Sequence, residues 1–278
     1  MGQRIGIIAG GGRFVPAAVQ EFKKRGTFCV VAGVEGEASA RLARTASVFR
    51  WINIGNPVGA VSFFRENGVD GVLLLGKVRH TSITGAEALG QDPRRFLAGP
   101  VDDTATVLLR AAAAFLESQG LRVLDPGPLL RPYFCDPGPL TRSPVPEAAA
   151  ADIEFGLPLA RRLADLDIGQ TLVVRRGAVA ATEGLEGTDA AIRRGARLAG
   201  PGFSVVKAGR TSQDLRFDVP AVGLDTVRAI VRARGSALAI DAGKVAFFQR
   251  SEAVGLADRS GLAIVALAAA GEKGVPGV

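Results

Sequence analysis

The first hundred residues alternate apolar runs with amphipathic ones, and few architectures accept that rhythm. RIGIIAG precedes PAAVQEFKKRG, TFCVVAGV precedes a polar stretch, and AVSFFRENG precedes VDGVLLLG. Continuous apolar runs suit strands covered on both faces, and the amphipathic segments between them supply the cover, so the pattern predicts a parallel sheet with crossover helices. DDTATVLLRAAAAFLESQG (102–120) continues it as a long helix with Asp102 or Asp103 as N-cap and Gly120 as stop, followed by LRVLDP as a closing strand.

The proline-dense stretch DPGPLLRPYFCDPGPLTRSPVPE (125–147) has no periodicity and marks a connection between domains. The expected organisation is therefore a parallel-sheet domain over 1–124, a proline-rich linker over 125–150 and a second α/β domain over 151–278. In the second domain, AADIEFGLPLARRLADLD and EGTDAAIRRGARLAG read as helices, and QTLVVRRGAVAAT as two strands around an Arg-Gly turn. FSVVKAG, LRFDVP, ALAIDAGKVAFFQ and LAIVAL supply further strands, in a less regular, mixed order.

Composition narrows the chemistry. A single histidine, His80, excludes reactions resting on imidazole clusters, such as His-rich binuclear metal sites and HExxH zinc centres. Cys29 and Cys135 lack CxxC spacing and are expected to be buried free thiols. The net charge of +7 and pI near 10.1 suit an anionic partner, yet the basic residues fall in scattered pairs without interleaved aromatics, which argues against nucleic acid. The longest apolar run, LAIVALAAA (262–270), is far shorter than the roughly 20 residues of a membrane span. With no secretory leader pattern at MGQRIGIIAGGG, a cytoplasmic location is expected.

Several segments carry candidate chemistry. In IIAGGGRFVPAAV (7–19) a strand enters a helix through Gly10, Gly11 and Gly12, a turn that serves either tight packing or phosphate binding. It departs from the dinucleotide fingerprint, because Val15 stands where G-x-G-x-x-G needs its third glycine. GKVRHTS (76–82) follows the VLLLG strand, which puts Lys77 at the carboxyl edge of the sheet, where α/β folds place ligands. EGLEGTDAAIRRG (183–195) opens a helix; its spacing favours Thr188 or Asp189 as an N-cap, while a groove lined by Glu183, Glu186 and Asp189 is the functional alternative.

QDLRFDVPAVGLDT (213–226) gathers Asp214, Asp218 and Asp225. Read as a strand, it turns Asp214, Arg216 and Asp218 to one face and Leu215, Phe217 and Val219 to the other. Asp225 also has the position of an N-cap for TVRAIVRARG. With Lys207 and Gln213 nearby in sequence and the 183–189 carboxylates in the same domain, these acids supply hard oxygen ligands that suit Mg²⁺ or Mn²⁺ and metal-assisted hydrolysis of a phosphoanhydride, a reaction that needs no histidine.

LDIGQTLVVRRGAVAATEGLEGTDAAI (166–192), VVKAGRTSQDLRFDVPAVGLDTV (205–227) and the N-terminal GIIAGGGRFVP resemble the UDP-2,3-diacylglucosamine pyrophosphatase family of lipid A biosynthesis, in its histidine-poor form. The resemblance spans nearly the whole chain. It implies a Rossmann-like N-terminal domain, a C-terminal α/β catalytic domain, a homodimer, a divalent cation, usually Mg²⁺, and peripheral contact with the inner membrane. The implied reaction cleaves an acylated UDP-sugar to UMP and 2,3-diacylglucosamine 1-phosphate (lipid X). Matched by motif, Asp225 becomes the first choice for binding metal or orienting water, with Asp189, Asp214 and Asp218 in support. Thr188, Lys207, Gln213 and Thr226 become substrate contacts, beside the Gly10–Gly12 loop and Lys77. Two departures stand out: TEGLEGTDA where the family reads VEAxEGTDA, and RTSQD, with Arg210, where it reads KPxQD. The rival readings are an NAD(P)-dependent oxidoreductase built on the glycine loop and a non-catalytic nucleotide-sugar or lipid-binding protein.

Overall fold

The computed structural model describes residues 4–12, 14–53, 57–76 and 105–268. The chain divides into two compact units, one of Met1–Leu129 with Asp214–Val219 and one of Leu130–Gln213 with Pro220–Val278.

The first unit is built on β1 (Arg4–Ala9), α1 (Phe14–Lys24), β2 (Phe28–Val34), α2 (Leu42–Thr45), β3 (Val48–Ile52), α3 (Pro57–Glu66), β4 (Gly71–Leu75), α4 (Ala105–Ser118) and β5 (Arg122–Val123). Its strands pair in parallel in the order β3-β2-β1-β4-β5. This is the expected sheet, and its central strands are buried throughout: Ile5, Ile7 and Ala9 on β1 and Val72–Leu75 on β4 are nearly inaccessible. Strand β3 falls in the polar stretch that the sequence left unassigned. Its Arg50 and Trp51 are exposed because it lies at the sheet edge. Helix α4 occupies the predicted long helix and gives way to Gly120, whose φ of 76° is the left-handed value such a stop requires. The Asp102 and Asp103 cap lies outside the described residues.

The chain reverses direction across the sheet between β1 and β4, and the glycine loop sits at that switch point. Gly10 N donates to Leu75 O at 2.8 Å. Gly76, with φ of 94°, packs so closely that a Cβ there would lie 2.5 Å from Gly11 O, so the turn after β4 requires glycine to pass the backbone of the glycine loop.

A one-turn α5 (Gly127–Leu130) precedes the second unit, which comprises β6 (Gly138–Pro139), α6 (Glu147–Asp165), β7 (Thr171–Arg175), β8 (Ala178–Thr182), α7 (Thr188–Ala199), β9 (Ser204–Lys207), β10 (Ala221–Val222), α8 (Leu224–Arg232), β11 (Ala237–Asp241), β12 (Ala246–Phe247), α9 (Arg250–Ser260) and β13 (Ala263–Leu267). Its main sheet runs β6-β13-β11-β9-β7-β8 and is mixed: β13, β11 and β9 are parallel, while β6 and β7 run against their neighbours. Residues 130–150, read from sequence as linker, belong to this unit. Leu130, Tyr133 and Cys135 are buried, and β6 pairs with β13, so the prolines shape a packed edge.

Period-two alternation explains the two cores of this unit. Leu172, Val174, Val206, Ala237 and Ala239 face α6, while Val173, Val205, Leu238 and Ile240 face α7, α8 and α9. The Arg-Gly turn of β7 and β8 is present, with Arg176 and Gly177 at φ of 50° and 70°, the paired positive values of a two-residue hairpin. The expected strand over LRFDVP is not formed. Residues 214–218 make turns, because the Asp214 carboxylate accepts the Arg216 N–H at 3.1 Å and its carbonyl accepts from Phe217 and Asp218, closing the chain on itself. This segment is counted with the first unit, where Phe217 packs against the core.

Candidate functional site

Buried charge concentrates at one edge of the second unit's sheet. Strands β9 and β11 end there at Lys207 and Asp241, the antiparallel β7 begins there at Thr171, and β8 leads out to Glu183. Each of these four residues is at most 3% exposed. The carboxyl edge of parallel strands is the usual ligand edge of an α/β sheet. Ionised groups survive such burial only when paired and hydrogen-bonded.

Lys207 satisfies that condition completely. Its Nζ donates to Thr188 Oγ1 at 2.9 Å, to Thr171 Oγ1 at 3.0 Å and to Glu183 Oε2 at 3.3 Å. The Thr171 hydroxyl in turn donates to Glu183 Oε2 at 2.6 Å and the Thr188 hydroxyl to Glu183 Oε1 at 3.0 Å. Every hydroxyl and ammonium proton in the cluster has an acceptor inside it. Because Thr188 opens α7, the network ties the start of that helix to the ends of β8 and β9.

The capping role expected of Thr188 or Asp189 is therefore not what the structure shows. Gly187 holds the N-cap position with φ of 80° and no side-chain cap bond; Thr188 is the first helical residue and Asp189, half-buried, the second. Asp225 is likewise inside its helix. Gly223 occupies the N-cap of α8, Asp225 is the second residue, and its Oδ1 accepts from Arg228 Nη1 at 3.0 Å. Thr226 follows, 8% exposed.

Around this edge, further polar contacts fix the loops. Arg161 on α6 forks onto Asp241, Nη2 to Oδ1 at 2.6 Å and Nε to Oδ2 at 3.2 Å. Asp165 accepts from the Thr211 N–H at 2.6 Å and hydroxyl at 2.8 Å, and the bond from that backbone N–H holds its carboxyl below the usual carboxylate range. Arg210 pairs with Asp167, and its N–H is accepted by Gln213 Oε1 at 2.9 Å, so the amide oxygen of Gln213 is turned into its own loop. Separately, in the first unit, Asp214 is gripped by the Arg216 guanidinium at 2.8 and 3.0 Å, which keeps its carboxyl below the usual range.

Thus the structure unites Lys207 and Thr188 of the predicted residues and adds Thr171 as a partner. Gly10, Gly11, Gly12, Asp214 and Asp218 belong to the first unit, and Asp189, Gln213, Asp225 and Thr226 to the second. Lys77 and His80 lie outside the described residues. Sequence reading passed over Asp241, although an acid ending the apolar run ALAI marks the ligand edge of the sheet; Thr171 offered no such signal. Cys29 and Cys135 are free and buried as expected, and burial pushes the Cys29 thiol up to about 11 against the opposing charge of Lys23.

Among the described residues, no three His, Cys, Asp or Glu side chains group into a metal-binding set. Mg²⁺, however, is commonly held by one or two carboxylates together with substrate phosphate oxygens. Asp225, its side chain 27% exposed on the first turn of α8, fits that role. No described helix is long and apolar enough to cross a membrane.

Comparison with known families decides the relationship. The LpxI N-terminal domain matches residues 4–132 and the LpxI C-terminal domain residues 136–265. The chain belongs to the LpxI family. Among LpxI proteins, the UDP-2,3-diacylglucosamine pyrophosphatase LpxI of Caulobacter vibrioides (strain ATCC 19089 / CIP 103742 / CB 15) is 29% identical over 276 residues, covering 95% of this chain and 97% of its own. Similar solved structures include L-threonine dehydrogenase from Phytophthora infestans, 14% identical over 44% of this chain and 34% of that one with a TM-score of 0.28. UDP-glucose 4-epimerase from Bifidobacterium longum, solved with NAD+ and UDP, is 12% identical over 43% of this chain and 35% of its own with a TM-score of 0.27. Neither likeness is close enough to carry an argument about this LpxI-family chain.

Proposed function

We propose that the protein hydrolyses the diphosphate of UDP-2,3-diacylglucosamine, releasing UMP and 2,3-diacylglucosamine 1-phosphate in lipid A synthesis, with Mg²⁺ or Mn²⁺ as cofactor. The observation that carries this reading is the match of both LpxI domains, in order, along one chain whose C-terminal half gathers its buried charge at a single sheet edge. The same reading includes an acylated UDP-sugar as partner, a homodimer and peripheral contact with the inner membrane from the cytoplasmic side.

Phosphoryl transfer asks a protein chiefly to position groups and to offset developing charge. A divalent cation, when bound, would supply charge neutralisation for the phosphates and a more acidic attacking water. Asp225 would hold that cation or orient the water. Asp214 is the weaker base, because its bond to Arg216 favours the ionised form and lowers its proton affinity. Lys207 spends its three N–H bonds on Thr171, Glu183 and Thr188, so its part is to hold the first turn of α7, with Asp189, in place. The first turns of α7 and α8 add the partial positive charge of helix N-termini, which favours phosphate.

The test is UMP release from UDP-2,3-diacylglucosamine by purified protein, with Mg²⁺ and with EDTA, beside Asp225→Ala. Metal-dependent release that the substitution abolishes is the expected result. Well-folded protein that binds the nucleotide sugar without releasing UMP would overturn the hydrolase reading.

A further inference from the structure

The second unit contains a cleft of about 540 Å³ that the catalytic reading leaves unused. Its walls come from the 131–136 stretch and the start of α9, with Arg131, Pro132, Phe134, Cys135, Asp136 and Arg250 facing it. Gly243, whose N–H donates to Cys135 O, completes the lining. The volume accommodates a phosphate with a modest organic group esterified to it.

Arg250 is pre-set for a ligand. Its Nη1 donates to Cys135 Sγ at 3.4 Å and its Nη2 to Pro132 O at 3.2 Å, which fixes the guanidinium plane. A guanidinium has five N–H donors, so three remain for an acceptor in the cleft. The Arg131 side chain is exposed, with no side-chain hydrogen bond or ion pair among the described residues; its backbone carbonyl accepts from the Phe134 N–H. The Cys135 thiol does not compete for this charge, since burial raises its pKa despite Arg250 and keeps it neutral. Asp136 is the one carboxylate in the lining, so two guanidiniums leave the cleft net positive. Planar guanidiniums bind tetrahedral oxyanions through paired N–H bonds.

We infer that the Arg131–Arg250 cleft binds the phosphate of a phosphate ester, in addition to any site for the hydrolysed diphosphate. Two sources share that chemistry, a soluble phosphate monoester and the headgroup of an anionic phospholipid.

The experiment measures both on the full chain. Calorimetric titration with inorganic phosphate and with glucose 1-phosphate reports the soluble source. Flotation with phosphatidylcholine vesicles, with and without phosphatidylglycerol, reports the lipid source. Arg131→Gln, at an exposed and unpaired side chain, should leave the melting temperature unchanged and weaken the relevant binding at least about tenfold, as loss of a charged hydrogen-bond donor does. Arg250→Gln should weaken it similarly, and Arg131→Lys should retain part. Losses confined to the soluble ligands identify a metabolite site, and losses confined to anionic vesicles identify a headgroup site. Saturable binding of neither kind, or binding that Arg131→Gln and Arg250→Gln leave unchanged, overturns the inference. These readouts need no turnover, so they stand apart from the hydrolase reading.

Discussion

The Lys207 ammonium lies 3.3 Å from the Glu183 carboxylate, at a point where the two side chains are only 4% and 2% exposed. Such a pair contributes little net stability by itself, since desolvation offsets the attraction, but removing one partner strands the other charge at a cost of about 3–5 kcal/mol. Lys207→Met should therefore destabilise the second unit by about that amount, while Lys207→Met combined with Glu183→Gln should recover a large part of it. Urea unfolding of the single and double variants measures the coupling; strictly additive losses would show that the pair does not act as a unit.

If Asp225 has the catalytic part proposed for it, substitution there should separate catalysis from folding. Because Gly223 occupies the N-cap of α8, the Asp225 carboxylate is not the cap, and its helix-dipole and Arg228 contributions are worth about 1 kcal/mol or less. Asp225→Asn should leave the unfolding midpoint nearly unchanged and reduce UMP release at least about a hundredfold, the scale of removing a group that stabilises the transition state. A fall in stability that tracks the fall in turnover would instead assign Asp225 a structural part.

The elements that could be read from the sequence are those whose pattern is set by burial on both faces. RIGIIA, FCVVAGV and GVLLL are continuous apolar runs because helices cover both sides of the sheet, and local pattern then reports tertiary position. VFRWI escaped notice because an edge strand keeps Arg50 and Trp51 in solvent, so its run is broken. LRFDVP misled for the opposite reason. Its alternation meets the strand template, yet the Asp214 side chain captures the Arg216 N–H and bends the chain into a turn. Thr188 and Asp189 carry the local signature of a cap, but the decisive partner of Thr188 is Lys207, 19 residues away, and no local spacing reveals a bond of that range.

Asp214 sets a pH dependence with a definite sign. Its folded pKa is lowered, first by the Arg216 side-chain hydrogen bond, so its contribution to stability is complete above the unfolded value of about 4 and is lost as pH falls through the lower folded value. Asp214→Asn should be less stable than the parent at neutral pH, and the difference should close as the pH drops below about 4. Urea midpoints taken across that range check it. A difference that stays constant would mean the carboxylate is not held by Arg216. The same substitution should leave the acid limb of the UMP-release profile in place, because a carboxyl already ionised well below neutrality does not titrate there.

Gly169 tests the geometry of the site edge most directly. It precedes β7 and passes so close to the outgoing end of β8 that a Cβ would lie 1.9 Å from Glu183 O and 3.3 Å from Glu183 Cβ. The obstacle is backbone, which cannot rotate aside, so the 183–187 loop must shift if a side chain is added. That loop carries Glu183 into its contacts with Lys207, Thr171 and Thr188, and the start of α7 would move with it. Gly169→Ala should cost about 1–3 kcal/mol or more in stability, the range for overpacking an interior. At a temperature where the variant remains folded, UMP release should fall further than the folded fraction does, since displacement of a positioning group by about 1 Å is enough to slow chemistry about a hundredfold. Lys207→Arg in the same assay provides the comparison: it keeps the charge but cannot reproduce the three-way ammonium geometry, and it should lower turnover in the same sense. Full activity in both variants would show that the Glu183–Lys207 network supports the fold without setting the catalytic geometry.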